Sequence, residues 1–168
     1  MTESPQRTGF GMMLAAALGL LGLLTWFFAG QIDERVNPNR QVHSQVLNGM
    51  VEVVLKADRQ GHFIATGSIN GRSVDFLVDT GATLVSIPEG LADRMGLERL
   101  APIGLQTAAG PVQGWLTRLE EVRLGEIVQR DVSAAINPGR HETVLLGMSF
   151  LRELEMNQRD GELRLVAE

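Results

Sequence analysis

Short apolar runs separated by turn signals dominate the chain after about residue 50. Many short strands with turns every 8–12 residues or so are typical of small β-barrels and sandwiches. The Asn70-Gly71 pair is a strong signal for a two-residue hairpin. The pattern predicts an all-β domain. The expected strands are 50–57, 62–69, 72–78, 103–107, 112–124, 126–136, 143–146 and 162–166.

One or two short helices are expected among these strands. Pro88 suits the first turn of a helix, and Gly96 is a typical residue to end one. A second brief helix is expected over 148–154, after a glycine that ends an apolar run. The helices are too short to change the all-β class.

A long apolar segment, 10–29, precedes the strands, and no charge appears between Arg7 and Asp33. Nineteen helical residues, Phe10 to Phe28, span roughly 28 Å, which matches the hydrocarbon core of a bilayer. A cleaved signal peptide is the alternative, and its cut requires small residues at positions −3 and −1. A cut after Ala29 or Gly30 places a phenylalanine at −3. The sequence therefore predicts a single uncleaved transmembrane helix.

The expected organisation has four parts: a cytoplasmic leader 1–9, the transmembrane anchor 10–29, a polar linker 30–49 and a domain 50–168. Arginines flank the anchor on both sides, so the positive-inside rule does not decide its orientation. A short leader is easily left in the cytoplasm while a long domain is translocated. We expect an inner (cell) membrane protein with a periplasmic or otherwise extracytoplasmic domain.

Composition excludes several classes of function. The 168 residues carry a formal net charge of −5 and no basic run, so nucleic acid is not an expected partner. Cysteine is absent, which excludes disulfides, thiolate metal sites and a cysteine nucleophile. The three histidines have no metal-ligand spacing, and no metal site is expected.

Asp79 is the leading candidate for chemistry. The apolar run 76–78 leads directly into Asp79-Thr80-Gly81-Ala82. A carboxylate at the end of an apolar run is costly to bury unless its oxygens are hydrogen-bonded, and Thr80 and Gly81 could hold it in a fixed pose. On this triplet alone, a strand that ends in a turn-capping aspartate is the more common interpretation.

Two further features strengthen the chemical interpretation. The hairpin around Gly110 carries small residues, Ala108 and Ala109, at its tip, as a mobile flap over a ligand would. An ordinary surface hairpin has the same pattern. Some 65 residues after Asp79, an apolar run ends in Leu146-Gly147 before the second short helix.

This order of motifs resembles the retropepsin-like aspartic proteases, and most of all their membrane-anchored bacterial members. The resemblance covers about Val51 to Val166 and implies a small closed β-barrel of the retropepsin type. It also implies that Ala108, Ala109 and Gly110 contact substrate, and that Leu146 and Gly147 support the active site from below.

The resemblance implies a mechanism as well. In this family two Asp-Thr-Gly loops face each other, and two carboxylates about 3 Å apart share one proton because both cannot ionise cheaply. One carboxylate activates a water and the other hydrogen-bonds the scissile carbonyl. Thr80 would crosslink the two loops, and no metal or organic cofactor is needed. The chain holds one such loop, so a homodimer with two Asp79 carboxylates is expected.

Several points stay open at this level. The chain is expected to be an endopeptidase acting on protein or peptide substrates; the alternatives are a catalytically inactive peptide-binding module on the same fold and a scaffold with a chance Asp-Thr-Gly. Trp115 could wall a substrate pocket, although a lone tryptophan at a strand end more often belongs to the core. Strands 50–55 and 163–166 are the expected dimer seam, since edge strands pair readily.

Overall fold

The computed structural model describes residues 5–47, 49–107 and 110–167. The chain divides into two compact units, Met1–Val36 and Asn37–Glu168. In chain order the elements are α1 (Pro5–Val36), β1 (His43–Leu47), β2 (Met50–Lys56), β3 (Ile64–Ile69), β4 (Arg72–Val78), β5 (Val85–Pro88), α2 (Glu89–Met95), β6 (Ala101–Thr107), β7 (Gly110–Leu124), β8 (Ile127–Asn137), β9 (Val144–Leu146), α3 (Met148–Leu151), β10 (Glu155–Arg159) and β11 (Glu162–Ala167).

The first unit contains α1, a helix of 32 residues. Its described side chains, those of 11–26, are all exposed. None of the helices in the described part of the chain combines the length and the apolar character that crossing a membrane requires. The transmembrane helix predicted over 10–29 is therefore not found in this structure.

The second unit is all-β with two short helices, as the sequence predicts. Its strands form a four-stranded sheet in the order β1-β2-β11-β10 and a seven-stranded sheet in the order β3-β4-β9-β5-β8-β7-β6. β3 also pairs with β7 through two residue pairs, Ser68 with Arg123 and Ile69 with Val122. The strands therefore form two sheets, and the single closed barrel stays a prediction.

One hydrophobic core joins both sheets. The four-stranded sheet contributes Val53, Leu55 and Leu165, and the seven-stranded sheet contributes Phe76 and many other apolar residues of alternating positions. Alternation places successive side chains of a strand on opposite faces, so each sheet turns one face to this core. The other face of the seven-stranded sheet is the one that matters for the site.

Local turn chemistry is as predicted at two positions. Asn70 and Gly71 both have positive φ, +49° and +76°, as a tight two-residue hairpin between β3 and β4 requires. Gly96 ends α2 in the left-handed conformation with φ of 69°. By contrast, α3 stops at Leu151 and is shorter than the helix predicted over 148–154.

The segment predicted as a linker, 30–49, differs from that prediction. The compact β unit begins at Asn37, and His43–Leu47 forms strand β1, which pairs antiparallel with β2. Asn39 is buried, and its side-chain amide is fully hydrogen-bonded. Its NH₂ group donates to the carbonyls of Lys56 and Ile64 at 2.9 and 2.7 Å, and its oxygen accepts from the Lys56 N–H at 2.7 Å. Polar composition here reflects satisfied buried amides.

The predicted dimer seam is wrong, because its two strands do not lie at the edge of a sheet. β2 pairs with β1 on one side and β11 on the other, and β11 pairs with β2 and β10. Strands 50–55 and 163–166 are therefore interior strands of the four-stranded sheet, with no free edge to offer a second copy. The edges of this sheet are β1 and β10.

Candidate active site

Asp79 follows directly after β4, an internal strand of the larger sheet. β4 pairs antiparallel with β3 and parallel with β9, and the register sets Val78 opposite Leu146. The Asp79 N–H donates to the Leu146 carbonyl at 3.1 Å, which extends this pairing by one residue. The half-buried Asp79 carboxylate is thus presented by a strand that is held on both sides.

A tight turn after Asp79 holds its carboxylate. The Gly81 N–H donates to Oδ1 of Asp79 at 2.9 Å, and the Ala82 N–H donates to the Asp79 carbonyl at 3.2 Å. A Cβ on Gly81 would lie 3.1 Å from that carboxylate oxygen. Glycine therefore permits the close approach by which the backbone holds the Asp79 carboxylate in place. Thr80 and Gly81 are themselves exposed.

Gly147 lies directly against this loop. A Cβ on Gly147 would be 2.2 Å from the Leu84 carbonyl oxygen and 2.7 Å from that of Ala82, both of them backbone atoms. The next residue, Met148, donates its N–H to the Ala82 carbonyl at 2.8 Å. The two motifs that the resemblance combines, Asp79-Thr80-Gly81 and Leu146-Gly147, therefore belong to segments that are in contact.

The expected flap is a hairpin of β6 and β7, with Thr107 opposite Gly110. Gly110 has φ of +112°, and the Thr107 hydroxyl donates to its carbonyl at 2.7 Å. Ala108 and Ala109, the tip residues proposed to contact substrate, lie outside the described residues. The hairpin is as predicted, and its contact with substrate stays a prediction.

The family follows from the sequence match over these same elements. The family model described as "gag-polyprotein putative aspartyl protease" matches residues 65–153, more than half of the chain, from β3 through α3. The chain belongs to this aspartyl protease family. The match includes Asp79, the β6–β7 hairpin and Leu146-Gly147.

Known proteins that are similar to the chain include one found by its sequence and one found by its fold. A Sinorhizobium protein described as "Uncharacterized protein in cobV 5'region" is 38% identical over 143 residues, covering 82% of this chain; the chain spans about three fifths of that protein's length, 61%. A crystal structure of a retropepsin-like aspartic protease from Rickettsia conorii aligns with a TM-score of 0.60 and 22% identity, covering 76% of this chain and 96% of the other. The second likeness shows that the two share a fold.

One supporting residue was missed by the sequence analysis. Ser149, in the first turn of α3, accepts a hydrogen bond at its Oγ from the Val85 N–H at 2.8 Å. This hydrogen bond ties α3 to β5, the strand that follows the aspartyl loop. The signal was a serine two residues after Gly147, at a position where a hydroxyl can serve a backbone group.

Trp115 is 38% exposed, so the interpretation of this residue as part of the core is wrong. It lies on β7, with Pro102 opposite on β6 and Ile136 opposite on β8. An exposed indole beside the hairpin is available to a ligand. Its role as a pocket wall stays a prediction.

A mostly apolar row, half-buried except for the fully buried Ala135, runs across the face opposite the core. Pairing joins Leu77 to Leu145, Leu145 to Ser86, Ser86 to Ala135 and Ala135 to Leu116, across five strands. Their strand neighbours Phe76, Ile87 and Ile136 are buried in the core, so this row faces the other way. Leu77 precedes Asp79 by two residues, which puts the row and Asp79 on one face. We call it the outer row.

Two groups of charge pairs among the described residues shift the pKa values of their members. Arg118 donates to both carboxylate oxygens of Asp131, and this hydrogen bonding lowers the pKa of Asp131 and raises that of Arg118. Hydrogen bonds to Asp93 and Glu89 raise the pKa of Arg99. All of these groups are exposed, and such pairs contribute little to stability.

Other titratable residues near β4 have structural or solvent roles. Asp75 is exposed, and its Oδ1 accepts from the Thr66 hydroxyl at 2.6 Å and the Asn37 amide at 2.9 Å, which ties the start of the β unit to β4. His43, His62 and His141 are exposed.

Proposed function

We propose that the chain is an aspartic endopeptidase that works as a homodimer, with the two Asp79 carboxylates at the dimer axis. The observation that carries this proposal is the geometry of the aspartyl loop, in which Gly81 donates to Oδ1 of Asp79 while Gly147 and Met148 brace the same loop. Membership of an aspartyl protease family supports a peptidase.

The proposed chemistry needs two carboxylates. An ionised Asp79 takes a proton from a water, whose oxygen then attacks the carbon of the scissile carbonyl. The Asp79 of the second copy, in its protonated form, hydrogen-bonds the carbonyl oxygen and stabilises the charge that develops there. The tetrahedral intermediate then breaks its C–N bond, and the proton that Asp79 took from the water passes to the leaving amine. The backbone donor from Gly81 keeps each carboxylate oriented.

A second copy is the source of the second carboxylate. The chain contains one Asp-Thr-Gly, and its other acid-glycine steps lie elsewhere: Asp160-Gly161 forms the exposed turn between β10 and β11, and Glu89-Gly90 begins α2. The exposed positions Thr80, Gly81 and Thr83 leave the loop accessible to its own copy. Since β2 and β11 are interior strands, we propose the exposed aspartyl loop itself as the centre of the contact.

Hydrolysis of peptides by the whole chain, compared with an Asp79→Asn variant, tests this proposal. A folded dimer that binds peptides but leaves them uncut would instead indicate a catalytically inactive peptide-binding module on the same fold.

The cellular location is a separate proposal that rests on the sequence alone. We propose that segment 10–29 holds the protein in the inner membrane, with the N-terminus in the cytoplasm and the β unit outside it. After carbonate extraction, the full chain is expected in the membrane pellet with no loss of mass from cleavage near Ala29. A chain of residues 37–168 serves as the control and should stay in the supernatant. A soluble mature form beginning near Gly30 or Gln31 would contradict the anchor.

A further inference from the structure

Ser86 brings a hydroxyl into the otherwise apolar outer row. It pairs with Leu145 on one side and Ala135 on the other, and its own neighbours Val85 and Ile87 are buried in the core. Ser86 is itself half-buried. Two strand spacings, about 10 Å, separate it from Leu77. An extended peptide crossing this face advances about 3.3 Å per residue, so Ser86 is within roughly three residues of a bond held at Asp79.

A fixed carboxamide sets the direction in which the Ser86 hydroxyl can donate. The Asn137 amide nitrogen donates to Ser86 Oγ at 2.9 Å, and the Asn137 oxygen accepts from the Gly139 N–H at 2.8 Å. Asn137 is 8% exposed. Because its oxygen is engaged by a backbone donor, its NH₂ group must face Ser86. Ser86 Oγ is therefore an acceptor in this bond, and its own proton points elsewhere.

The loop after β8 is shaped around this carboxamide. A Cβ on Gly139 would lie 2.6 Å from the Asn137 Oδ1 and 2.8 Å from the Nε2 of His141. A glycine is thus needed for the backbone to approach Asn137 closely enough to fix it. The result is a polar group that is oriented before any ligand arrives, which lowers the cost of ordering it on binding.

We propose that Ser86, oriented by Asn137, is a specificity-determining residue that selects a substrate side chain carrying a hydrogen-bond acceptor oxygen, such as the amide of asparagine. This inference rests on the proposed function, because it places the substrate on the face that carries Asp79. A site built to hydrogen-bond a ligand discriminates against an apolar analogue, since the analogue leaves a partly buried polar group unpaired.

Matched peptides that differ only by Asn or Leu at one position provide the test, since these two side chains have similar size. A mixed peptide library cut by the wild-type chain first locates the position of strongest preference. We expect a single position, within three residues of the scissile bond, to carry this preference. Ser86→Val should then lower the Asn-to-Leu ratio of kcat/KM about tenfold, the value of one hydrogen bond, and should raise cleavage of the Leu peptide. Ser86→Thr, which keeps the hydroxyl, should retain the wild-type ratio.

Ser73→Val is the matched control. Ser73 is an exposed serine near the start of β4, four residues before Leu77 and at the far end of the strand from Asp79, and its replacement should leave the ratio unchanged. If Ser86→Val cleaves the two peptides with the wild-type ratio, the inference is wrong while the proposed endopeptidase stands.

Binding separates the two proposals if cleavage fails. The Asp79→Asn chain, with and without Ser86→Val, is titrated with the same labelled peptides and followed by fluorescence anisotropy. A preference for the Asn peptide that Ser86→Val removes would support Ser86 even if the wild-type chain cuts nothing, and the proposed hydrolysis would then be the part that fails. Equal binding of both peptides by the Asp79→Asn chain overturns the role of Ser86.

Discussion

Asp79→Asn is expected to abolish peptide cleavage, with a loss of roughly 10³-fold or more in kcat/KM. An asparagine cannot take the proton from the attacking water or share a proton with the second carboxylate. Its amide oxygen can still accept the Gly81 N–H, so the loop should keep its conformation. The measurement is hydrolysis of a fluorogenic peptide library, with circular dichroism and size-exclusion chromatography to verify the fold.

Asp160→Asn is the matched control for this variant. Asp160 also precedes a glycine, but it lies in the exposed β10–β11 turn with φ of +52°, a conformation that asparagine tolerates well. This variant should retain wild-type activity. A well-folded Asp79→Asn chain that cleaves peptides within tenfold of the wild-type rate would remove Asp79 from the mechanism.

Gly147→Ala should destabilise the β unit by about 3 kcal/mol and remove activity with it. The new methyl would meet the backbone carbonyls of Leu84 and Ala82, at 2.2 and 2.7 Å, and no side-chain rotation can relieve that overlap. The aspartyl loop and the segment leading into α3 must then separate. Urea unfolding of the chain 37–168 measures the change, followed by the cleavage assay.

Gly90→Ala is the control for the added methyl. Gly90 lies in α2, where the nearest atom to a new Cβ is the end of the Arg94 side chain at 3.9 Å. Alanine favours a helix over glycine by up to about 1 kcal/mol, so this variant should be neutral or slightly stabilised. Equal urea midpoints for Gly147→Ala and wild type would show that the contact beneath the loop is not a tight one.

The features that the sequence predicts well are those set by local chemistry. The Asn70-Gly71 hairpin and the end of α2 at Gly96 follow from residues that adopt positive φ, which needs no knowledge of distant contacts. The contact of Gly147 with the aspartyl loop was expected from a resemblance between motifs. Its steric basis, two carbonyls within 2.7 Å of a Cβ, becomes visible in three dimensions only.

The features that the sequence did not predict depend on partners far away in the chain. Polar residues around Asn39 suggest a tether, yet that side chain is buried by carbonyls from β2 and from the start of β3. β2 could not be recognised as an interior strand without knowing that β1 and β11 both pair with it. The place of Ser86 in the outer row could not be predicted for the same reason, since its neighbours there come from other strands.

Mixing wild-type chain with Asp79→Asn chain at constant total concentration tests the shared site most directly. Protomers are first allowed to exchange at a concentration where the protein is dimeric, and the initial rate of peptide cleavage is then measured against the wild-type fraction. If each active site needs two Asp79 carboxylates, activity should follow the square of that fraction, falling to about one quarter at equal mixing. Activity that falls in direct proportion, to about one half at equal mixing with exchange verified, would show that one chain carries a complete site and would contradict the proposed mechanism.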